Sequence, residues 1–249
     1  MDTRKGTMDT RKDIHNSDVP VICRACEARH RGICGALSSD QLSKLSKYTA
    51  RKNVKAGTAL FVDADQVTTY SNVLSGVVKL TKMLADGRQQ IVGLQFAPDF
   101  MGRPFQRERR IDAEATTEVS LCSFPKSAID RLIRETPELE HHLLEQTLKE
   151  LDEAREWMVT LGRKTASEKI ASFLLLIASH IDPESEDCDG PISFDLPLTR
   201  ADIADFLGLT IETVSRQLTK LRKDGVIVIE NNRHITVPDI ARLEMRSGS

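Results

Sequence analysis

The chain has 249 residues, which is long enough for one large domain or two ordinary ones, and its formal net charge is −2. This charge excludes indiscriminate binding to polyanions, and an aromatic content of 4% provides few rings on which single-stranded RNA could stack. The histidines show no metal-ligand spacing and no phosphate loop or nucleophile motif is present, so we do not expect an enzyme.

The amino terminus is polar and repeats the run Met-Asp-Thr-Arg-Lys, and no apolar run along the chain reaches transmembrane length. We therefore expect residues 1–18 to be a disordered N-terminus without function. Because this terminus also lacks the pattern of a secretory signal, the sequence predicts a cytoplasmic protein that binds no membrane.

Three closely spaced cysteines, Cys23, Cys26 and Cys34, follow in a polar segment that contains glycine. Disulfides are rare in cytosolic proteins, so thiols clustered in this way are interpreted as metal ligands or redox groups. Basic side chains among them can lower the thiol pKa values and offset the charge of a thiolate cluster. These side chains are Arg24, Arg29, His30 and Arg31.

A fourth ligand must come from elsewhere in the chain, and Cys122 is the candidate. It lies in the strand-like run 117–125, where a strand can hold its side chain at a fixed place for the N-terminal loop to reach. Four thiolates bind zinc or an iron–sulfur cluster, and the spacing does not separate these two possibilities from unligated thiols. Cys188 lies in the acidic run 182–190 and is interpreted as a spare surface thiol.

Short β-rich runs alternate with glycine and polar turns from about Asn53 to Phe124. This pattern predicts a small antiparallel barrel or roll. Asp86 and Gly87 give a strong hairpin signal between two of the runs. The predicted strands are 60–62, 70–76, 77–84 and 90–96.

From Pro137 the pattern becomes helical, with apolar residues at intervals of seven that predict the pairing helix of a homodimer. The predicted dimerisation residues are Leu144, Leu151, Ala154, Met158 and Leu161. Thr147 and Ala154 bury little area in this seam, and acidic residues nearby repel a partner, so we expect weak and switchable association. The acidic residues are Glu150, Asp152, Glu153 and Glu156. The alternative is a helix that packs on its own domain.

Residues 198–225 contain two short amphipathic helices joined by a glycine-bearing turn, which is the pattern of a helix-turn-helix. Thr199 is placed to cap the first helix, with Asp202 three residues later. Gly208 allows the turn, and Thr210 is placed to cap the second helix. The predicted shared core is Ile203, Ala204, Leu207, Leu209, Val214, Leu218 and Leu221. The outward residues, which we predict to bind DNA, are Glu212, Thr213, Ser215, Arg216 and Lys220. The alternative is a small helical hairpin with a solvated charged face.

Two β-rich runs, 226–230 and 234–237, flank two asparagines that tolerate positive φ, and they predict a wing after the second helix. Basic residues along that helix suit the phosphates of double-stranded DNA, and an arginine can also bind guanine edges. A carboxylate that faces DNA costs binding energy unless it accepts a hydrogen bond from cytosine or orients an arginine. Glu212 is therefore assigned to sequence reading.

These elements predict an α+β protein with an N-terminal antiparallel, jelly-roll-like β-roll, a long dimerisation helix and a C-terminal winged helix-turn-helix. The predicted divisions are 1–18 for the disordered N-terminus, 19–135 for the cysteine loop and the roll as sensor domain, 136–163 for the dimerisation helix and 164–249 for the DNA-binding domain.

The order of roll, long helix and winged helix-turn-helix resembles the CRP-FNR superfamily of bacterial transcription regulators over nearly the whole chain. The cysteine set and the run Leu-Thr-Ile-Glu-Thr-Val-Ser-Arg at 209–216 are similar to FNR. The resemblance implies that Glu212, Ser215 and Arg216 read TTGAT-type half-sites of a palindrome. It also implies an oxygen-labile [4Fe-4S] cluster, with the ligands Cys23, Cys26, Cys34 and Cys122.

The cysteine set beside a weak seam leads to the hypothesis that a cluster intact at low oxygen favours the dimer, which then binds DNA. The resemblance further implies that the DNA-bound dimer recruits RNA polymerase through roll loops such as 85–90. Cyclic-nucleotide sensors hold the phosphate with a Gly-Glu pair and a later Arg-Ser or Arg-Thr. Here Arg103 follows Gly102 and no Arg-Ser comes after it, so no cyclic nucleotide is expected. The alternative function is a regulator of the same type without a cluster, which uses structural zinc or a small-molecule effector.

Overall fold

The computed structural model describes residues 19–24, 26–181 and 190–248. The predicted N-terminal tail and Cys188 lie outside the described residues. The helices are α1 (Val21–Arg24), α2 (Glu27–His30), α3 (Ser39–Ser46), α4 (Lys126–Glu135), α5 (Pro137–Arg163), α6 (Ala166–Ile181), α7 (Arg200–Leu207), α8 (Ile211–Lys223) and α9 (Ile240–Ser247), with a 3-10 turn at Ile33–Ala36. The strands are β1 (Ala50–Val54), β2 (Ala59–Phe61), β3 (Thr69–Ser75), β4 (Val78–Met83), β5 (Gln89–Gln95), β6 (Phe100–Met101), β7 (Asp112–Ala115), β8 (Val119–Pro125), β9 (Ile192–Asp195), β10 (Val228–Glu230) and β11 (His234–Val237).

Strands β1 to β8 form a roll of two antiparallel four-stranded sheets, so the predicted roll is confirmed. One sheet has the order β1-β8-β3-β6 and the other the order β2-β7-β4-β5. Successive side chains of a strand point to opposite faces, and the inward set fills the space between the sheets. The buried apolar residues there are Val73, Val78, Met101, Ala113, Ala115, Val119 and Leu121.

The long helix α5 leaves most of its length exposed. It begins at Pro137, which suits the first helical turn because no amide donor is needed there. Of its 27 residues, only Leu139 and Thr160 are buried. The predicted seam therefore does not pack on its own subunit. The exposed large apolar side chains of α5 are Leu144, Leu148, Leu151, Met158, Val159 and Leu161.

The C-terminal domain is a winged helix-turn-helix, and its predicted caps are confirmed. Thr199 and Asp202 form a reciprocal capping box at the start of α7. Gly208 has a φ of 62°, the left-handed conformation that the turn between α7 and α8 requires. Thr210 caps α8 by accepting a hydrogen bond from the Thr213 amide.

The wing turns through Asn231 and Asn232, whose φ values are 51° and 57°. Strand β9, which the sequence did not predict, adds a third strand beside β11. Helix α9 was not predicted either, and it packs against α6. Its Arg242 donates hydrogen bonds to the carbonyl oxygens of Gly225 and Asp224, so α9 fixes the chain that follows α8.

The roll and the C-terminal domain meet where β4 and β5 face α7. Ile91 and Phe96 of the roll lie in the apolar core of the C-terminal domain. Lys79 Nζ lies 2.8 Å from Asp202 Oδ1 and 3.2 Å from Glu114 Oε1. The Lys79 and Asp202 side chains are 12% and 15% exposed, so salt screens this pair weakly. The ion pair therefore helps to fix how the two domains are oriented.

We expect Asp202→Asn to destabilise the protein by about 1–2 kcal/mol, because it weakens both the cap of α7 and the pairing with Lys79. Burial alone raises the pKa of Asp202, but hydrogen bonds from Lys79 and Thr199 outweigh burial and hold this pKa below its ordinary value. Such a carboxylate stabilises the folded state above the ordinary pKa of about 3.9, and the effect is lost as the pH falls through the lowered pKa. The difference in melting temperature should therefore shrink on acidification.

Asp205→Asn is the matched control, since Asp205 lies on the same helix and accepts a hydrogen bond from the uncharged Gln89 at 2.6 Å. Melting curves of both variants and the wild type across the acid range provide the measurement. If the loss of stability in Asp202→Asn were the same at every pH, or if Asp205→Asn showed the same loss, the role given to the ion pair would be contradicted.

Candidate functional site

Four cysteines from separate elements line one small cavity of about 20 Å³. Cys23 lies in α1, Cys26 precedes α2, Cys34 lies in the 3-10 turn and Cys122 lies in β8. Buried apolar side chains, Ile33 among them, hold this N-terminal segment against β3, β8 and α4. The fold thus brings together all four residues that were predicted as ligands.

Burial changes the acidity of these thiols. Burial, then repulsion from Cys122 and Cys26, raises the pKa of Cys34 to about 12. Burial, then repulsion from Cys26 and Cys23, raises the pKa of Cys122 to about 12. Burial is also the main cause that raises the pKa of Cys23. At neutral pH the thiols of Cys34 and Cys122 therefore stay protonated. A metal that binds them must displace these protons, because the thiolate is the form that ligates a metal.

All four cysteines that line this cavity are free thiols. In the part of the chain that the structure describes, no group of three or more His, Cys, Asp or Glu side chains is arranged to hold a metal ion.

Asn72 of β3 borders the same cavity and was not among the predicted site residues. It pairs with Cys122 across β3 and β8, and its side chain is 1% exposed. Its Nδ2 donates a hydrogen bond to Cys34 Sγ at 3.4 Å, whereas its buried Oδ1 has no hydrogen-bond partner. The signal in the sequence is an amide at an inward position of the predicted strand 70–76, two residues after Tyr70.

Helix α8 buries one face and exposes the other. Its buried residues are Val214, Leu218 and Leu221. The exposed face carries four of the five predicted DNA-binding residues, which are Glu212, Ser215, Arg216 and Lys220. Thr213 is half-buried, and both its amide and its hydroxyl are hydrogen-bonded to Thr210. Its side chain therefore takes part in the cap.

Glu212 lies at the start of this exposed face, and its carboxyl group is ionised. Its own backbone amide, and then the Thr210 hydroxyl, lower the pKa of the Glu212 carboxyl. An ionised carboxylate can accept a hydrogen bond from cytosine N4, while the cations Arg216 and Lys220 suit guanine edges and phosphates. The exposed face thus combines groups that can read bases with groups that can bind the DNA backbone.

Part of the hairpin between β4 and β5 contacts α7. All of 85–90 was expected to be exposed to a partner. Gln89 Nε2 donates to Asp205 Oδ2 at 2.6 Å, and Gln90 Nε2 donates to the Phe206 carbonyl at 3.1 Å. These two glutamines dock the hairpin on α7. The exposed remainder is the tip around Asp86.

A second cavity, of about 70 Å³, lies beside β6, with Arg103, Arg109 and Arg110 in its wall. Arg109 is already engaged, because its Nη2 donates to the Thr69 carbonyl at 2.7 Å and its guanidinium lies 4.0 Å from the centre of the Phe61 ring. Sites for small organic ligands usually measure about 300–1,000 Å³. This cavity is far smaller than that.

A β-roll followed by a long exposed helix and a winged helix-turn-helix defines a DNA-binding regulator. Residues 51–136 match the family model described as cyclic nucleotide-binding domain, and residues 168–246 match the Crp-like helix-turn-helix domain. Within the described residues, no helix combines the length and the apolar character needed to span a membrane.

Known proteins share this architecture along nearly their whole length. A protein of Rhizobium leguminosarum bv. viciae named probable transcriptional activator is 56% identical, over 94% of this chain and 96% of its own. The transcriptional activator protein FnrL of Cereibacter sphaeroides is 43% identical, over 93% of this chain and 95% of its own. The solved structure of FixK2 from Bradyrhizobium japonicum matches with a TM-score of 0.72 and 29% identity, over 81% of this chain and 98% of that chain. The chain belongs to the CRP-FNR superfamily, whose members are transcription regulators and not enzymes.

Proposed function

We propose that this protein is an oxygen-responsive transcription activator that holds a [4Fe-4S] cluster when oxygen is scarce. As a homodimer it then binds a palindrome of TTGAT-type half-sites and controls anaerobic or microaerobic genes. The observation that carries the proposal is the single cavity shared by four cysteines, three from the N-terminal segment and one from the roll. The names of the two relatives support the role of activator.

The residues fit such a cluster by their chemistry. Four cysteine thiolates are its usual donor set, and the buried amide of Asn72 places a hydrogen-bond donor beside one of them. When bound, the cluster supplies an oxygen-sensitive redox centre. The cavity of about 20 Å³ is smaller than this group, so the loop that carries the half-buried Cys23 and Cys26 must adjust when the group binds. The position of that part of the N-terminal segment then depends on the cofactor.

The N-terminal segment is also packed against the start of α5. Ile33 of the 3-10 turn and Leu139 of α5 are fully buried in the same apolar cluster. Gln41 Nε2 donates a hydrogen bond to Thr136 Oγ1 at 2.6 Å, next to the first residue of α5. A shift of the cysteine segment is therefore transmitted to the helix on which the subunits are proposed to pair.

A second copy of the chain is the proposed partner of the exposed apolar face of α5. A row of water-exposed apolar side chains along a long helix usually marks an interface, and a winged helix-turn-helix that reads a palindrome needs two copies. The dimer places one α8 at each half-site. Leu148 and Val159 join the predicted seam and enlarge the apolar area that pairing would bury.

Two of the four acidic residues of α5, Glu150 and Asp152, interact with neighbouring groups of the same chain. Glu150 faces the roll, where burial and then the neighbouring Asp99 raise its pKa while Arg103 lowers it. Asp152 is paired with Arg155 at 2.9 Å. The pairing is proposed to be weak because Thr147 and Ala154 are small and acidic side chains lie near the seam, and only a few kcal/mol are then needed to change the dimer population greatly.

Arg216→Ala is expected to weaken binding to the palindrome by about 1–3 kcal/mol and to relax the base preference at one position of each half-site. Arg216 is exposed on α8 and has no ion-pair partner among the described residues, so its guanidinium is available to a base edge. Titrations with the palindrome and with random duplex of equal length provide the measurement. Arg222→Ala is the control. Arg222 lies at the end of α8, so this substitution should weaken binding to both duplexes alike. An equal loss on both duplexes for Arg216→Ala would refute its assignment to base reading.

The DNA-bound dimer is further proposed to recruit RNA polymerase through the exposed tip of the β4–β5 hairpin, where Met83 and Leu84 are exposed beside Asp86. No cyclic nucleotide is proposed as a ligand. The small volume of the cavity beside β6 and the engagement of Arg109 support this view.

An anaerobic absorbance spectrum, with counts of iron and sulfide, tests the proposal. We expect a broad visible band that air bleaches, with about four iron and four sulfide per chain. A colourless protein that carries zinc would reject the cluster and favour the alternative regulator. So would protein purified without air that lacks iron and still binds the palindrome as a dimer.

A further inference from the structure

We propose that Asn72 determines how long a cluster on the four cysteines persists in air, because its amide donates a hydrogen bond to the sulfur of Cys34. This inference rests on the proposed function, since it concerns the cofactor that those cysteines would hold. Asn72 acts through Cys34 and is therefore a positioning and tuning residue.

The backbone of Asn72 is fixed by its place in the sheet. Strand β3 lies between β8 and β6, and Asn72 pairs with Cys122 on one side and with Phe100 on the other. Its side chain shares the wall of the cysteine cavity with apolar residues, Leu42 and Phe124 among them. The amide therefore has little freedom to turn away from the sulfur atoms.

The Asn72 side chain is poorly suited to a role in stability alone. A carboxamide has two N–H donors and an oxygen with two acceptor sites, yet the described contacts are one bond to Cys34 Sγ and none to Oδ1. A buried polar atom without a partner costs free energy that an apolar side chain of similar size would avoid. An unsatisfied group of this kind calls for a functional explanation, and the adjacent sulfur provides one.

A hydrogen bond to a ligand sulfur changes the electronic properties of an iron–sulfur site. Donors to the sulfurs are among the factors that set its reduction potential. An N–H group near the sulfur favours the more negative, reduced state because it stabilises negative charge there. Without this donor the potential should fall, and dioxygen should then oxidise the site more readily.

Asn72→Leu tests this inference, because leucine has a similar volume and no donor. We expect the anaerobically purified variant to contain as much iron and sulfide as the wild type and to have a lower midpoint potential. Its visible band should disappear about fivefold faster in air, the factor that corresponds to one ordinary hydrogen bond. Ser71→Ala is the matched control, since it removes the 2.9 Å hydroxyl bond to Ser123 from the same strand, and it should decay at the wild-type rate.

The metal-free protein gives a second, independent measurement. Asn72→Leu removes an unpartnered buried oxygen, so the variant without iron should melt at the wild-type temperature or above it. A lower melting temperature would show that Asn72 serves the fold and would overturn the inference.

The failure of this inference and the failure of the proposed function are distinguishable. A wild-type protein that loads iron, beside an Asn72→Leu variant with unchanged potential and unchanged decay in air, refutes the role of Asn72 alone. A wild-type protein that contains no iron refutes the proposed function, and the inference with it.

Discussion

Cys122→Ser is expected to abolish cluster binding. Cys122 is the cysteine that the roll itself contributes, and the other three lie on a segment that needs this fixed point. Loss of residues that merely support metal ligands already costs about 10–100-fold in affinity, so loss of a ligand should cost more. Anaerobically purified variant should therefore contain less than about a tenth of the wild-type iron and show no visible band. Its affinity for the palindrome should fall at least about tenfold under the same conditions.

Cys188→Ser is the matched control, because it makes the same chemical change at a cysteine outside the predicted ligand set. Iron analysis, the absorbance spectrum and anaerobic DNA titration should all be as in the wild type. Since Cys122 is buried, a melting curve of each metal-free variant establishes that the fold is intact. If Cys122→Ser bound DNA as the wild type does, the cluster would have no part in the mechanism, and an effector-controlled regulator would be favoured.

Leu151→Glu is expected to give monomers that bind the palindrome about a hundredfold more weakly or worse, because the second half-site is then no longer bound by a linked subunit. Leu151 lies within the exposed apolar stripe of α5. In a two-fold dimer, equivalent residues of this stripe approach each other, so the substitution removes apolar area and adds two like charges. Light scattering of anaerobic protein measures the assembly, and titration with full and half palindromes measures the lost linkage.

Leu84→Glu provides the control for this variant. Leu84 and Leu151 are both leucines that are 45% exposed, but Leu84 lies after β4 in the hairpin rather than on α5. The same change there should leave the assembly intact. If Leu151→Glu protein were still dimeric, the second copy would have to bind through a surface other than α5.

Features with a local physical cause could be predicted from the sequence. The capping box of Thr199 and Asp202 depends on residues three positions apart, and the conformation of Gly208 depends on one residue. The strands of the roll with apolar residues at inward positions were predicted to within two residues of their ends, as with 70–76 for β3. The cysteines were recognisable because thiols are uncommon and chemically distinct.

Features that depend on distant pairing could not be predicted. Strands β1 and β7 contain several charged residues of low strand preference, and they take their conformation from pairing with β8 and with β4. The position of Asn72 beside the cysteines follows only from the strand register that places it opposite Cys122. Leu148 and Val159 lie outside the predicted seam, and their exposure follows from how α5 leaves the roll.

Asp202 belongs at once to the first turn of α7 and to the ion pair with Lys79. If the DNA-binding domain moved away from the roll, the shielded Lys79 ammonium group would lose one of its two carboxylate partners. Asp202, which also orders the first turn of α7, would lose its ion pair. Intermediate orientations are costly for this reason, and each subunit should present its recognition surface at one angle. The separation of the two half-sites on DNA then reflects the rigid shape of the subunit and the place where two such subunits meet.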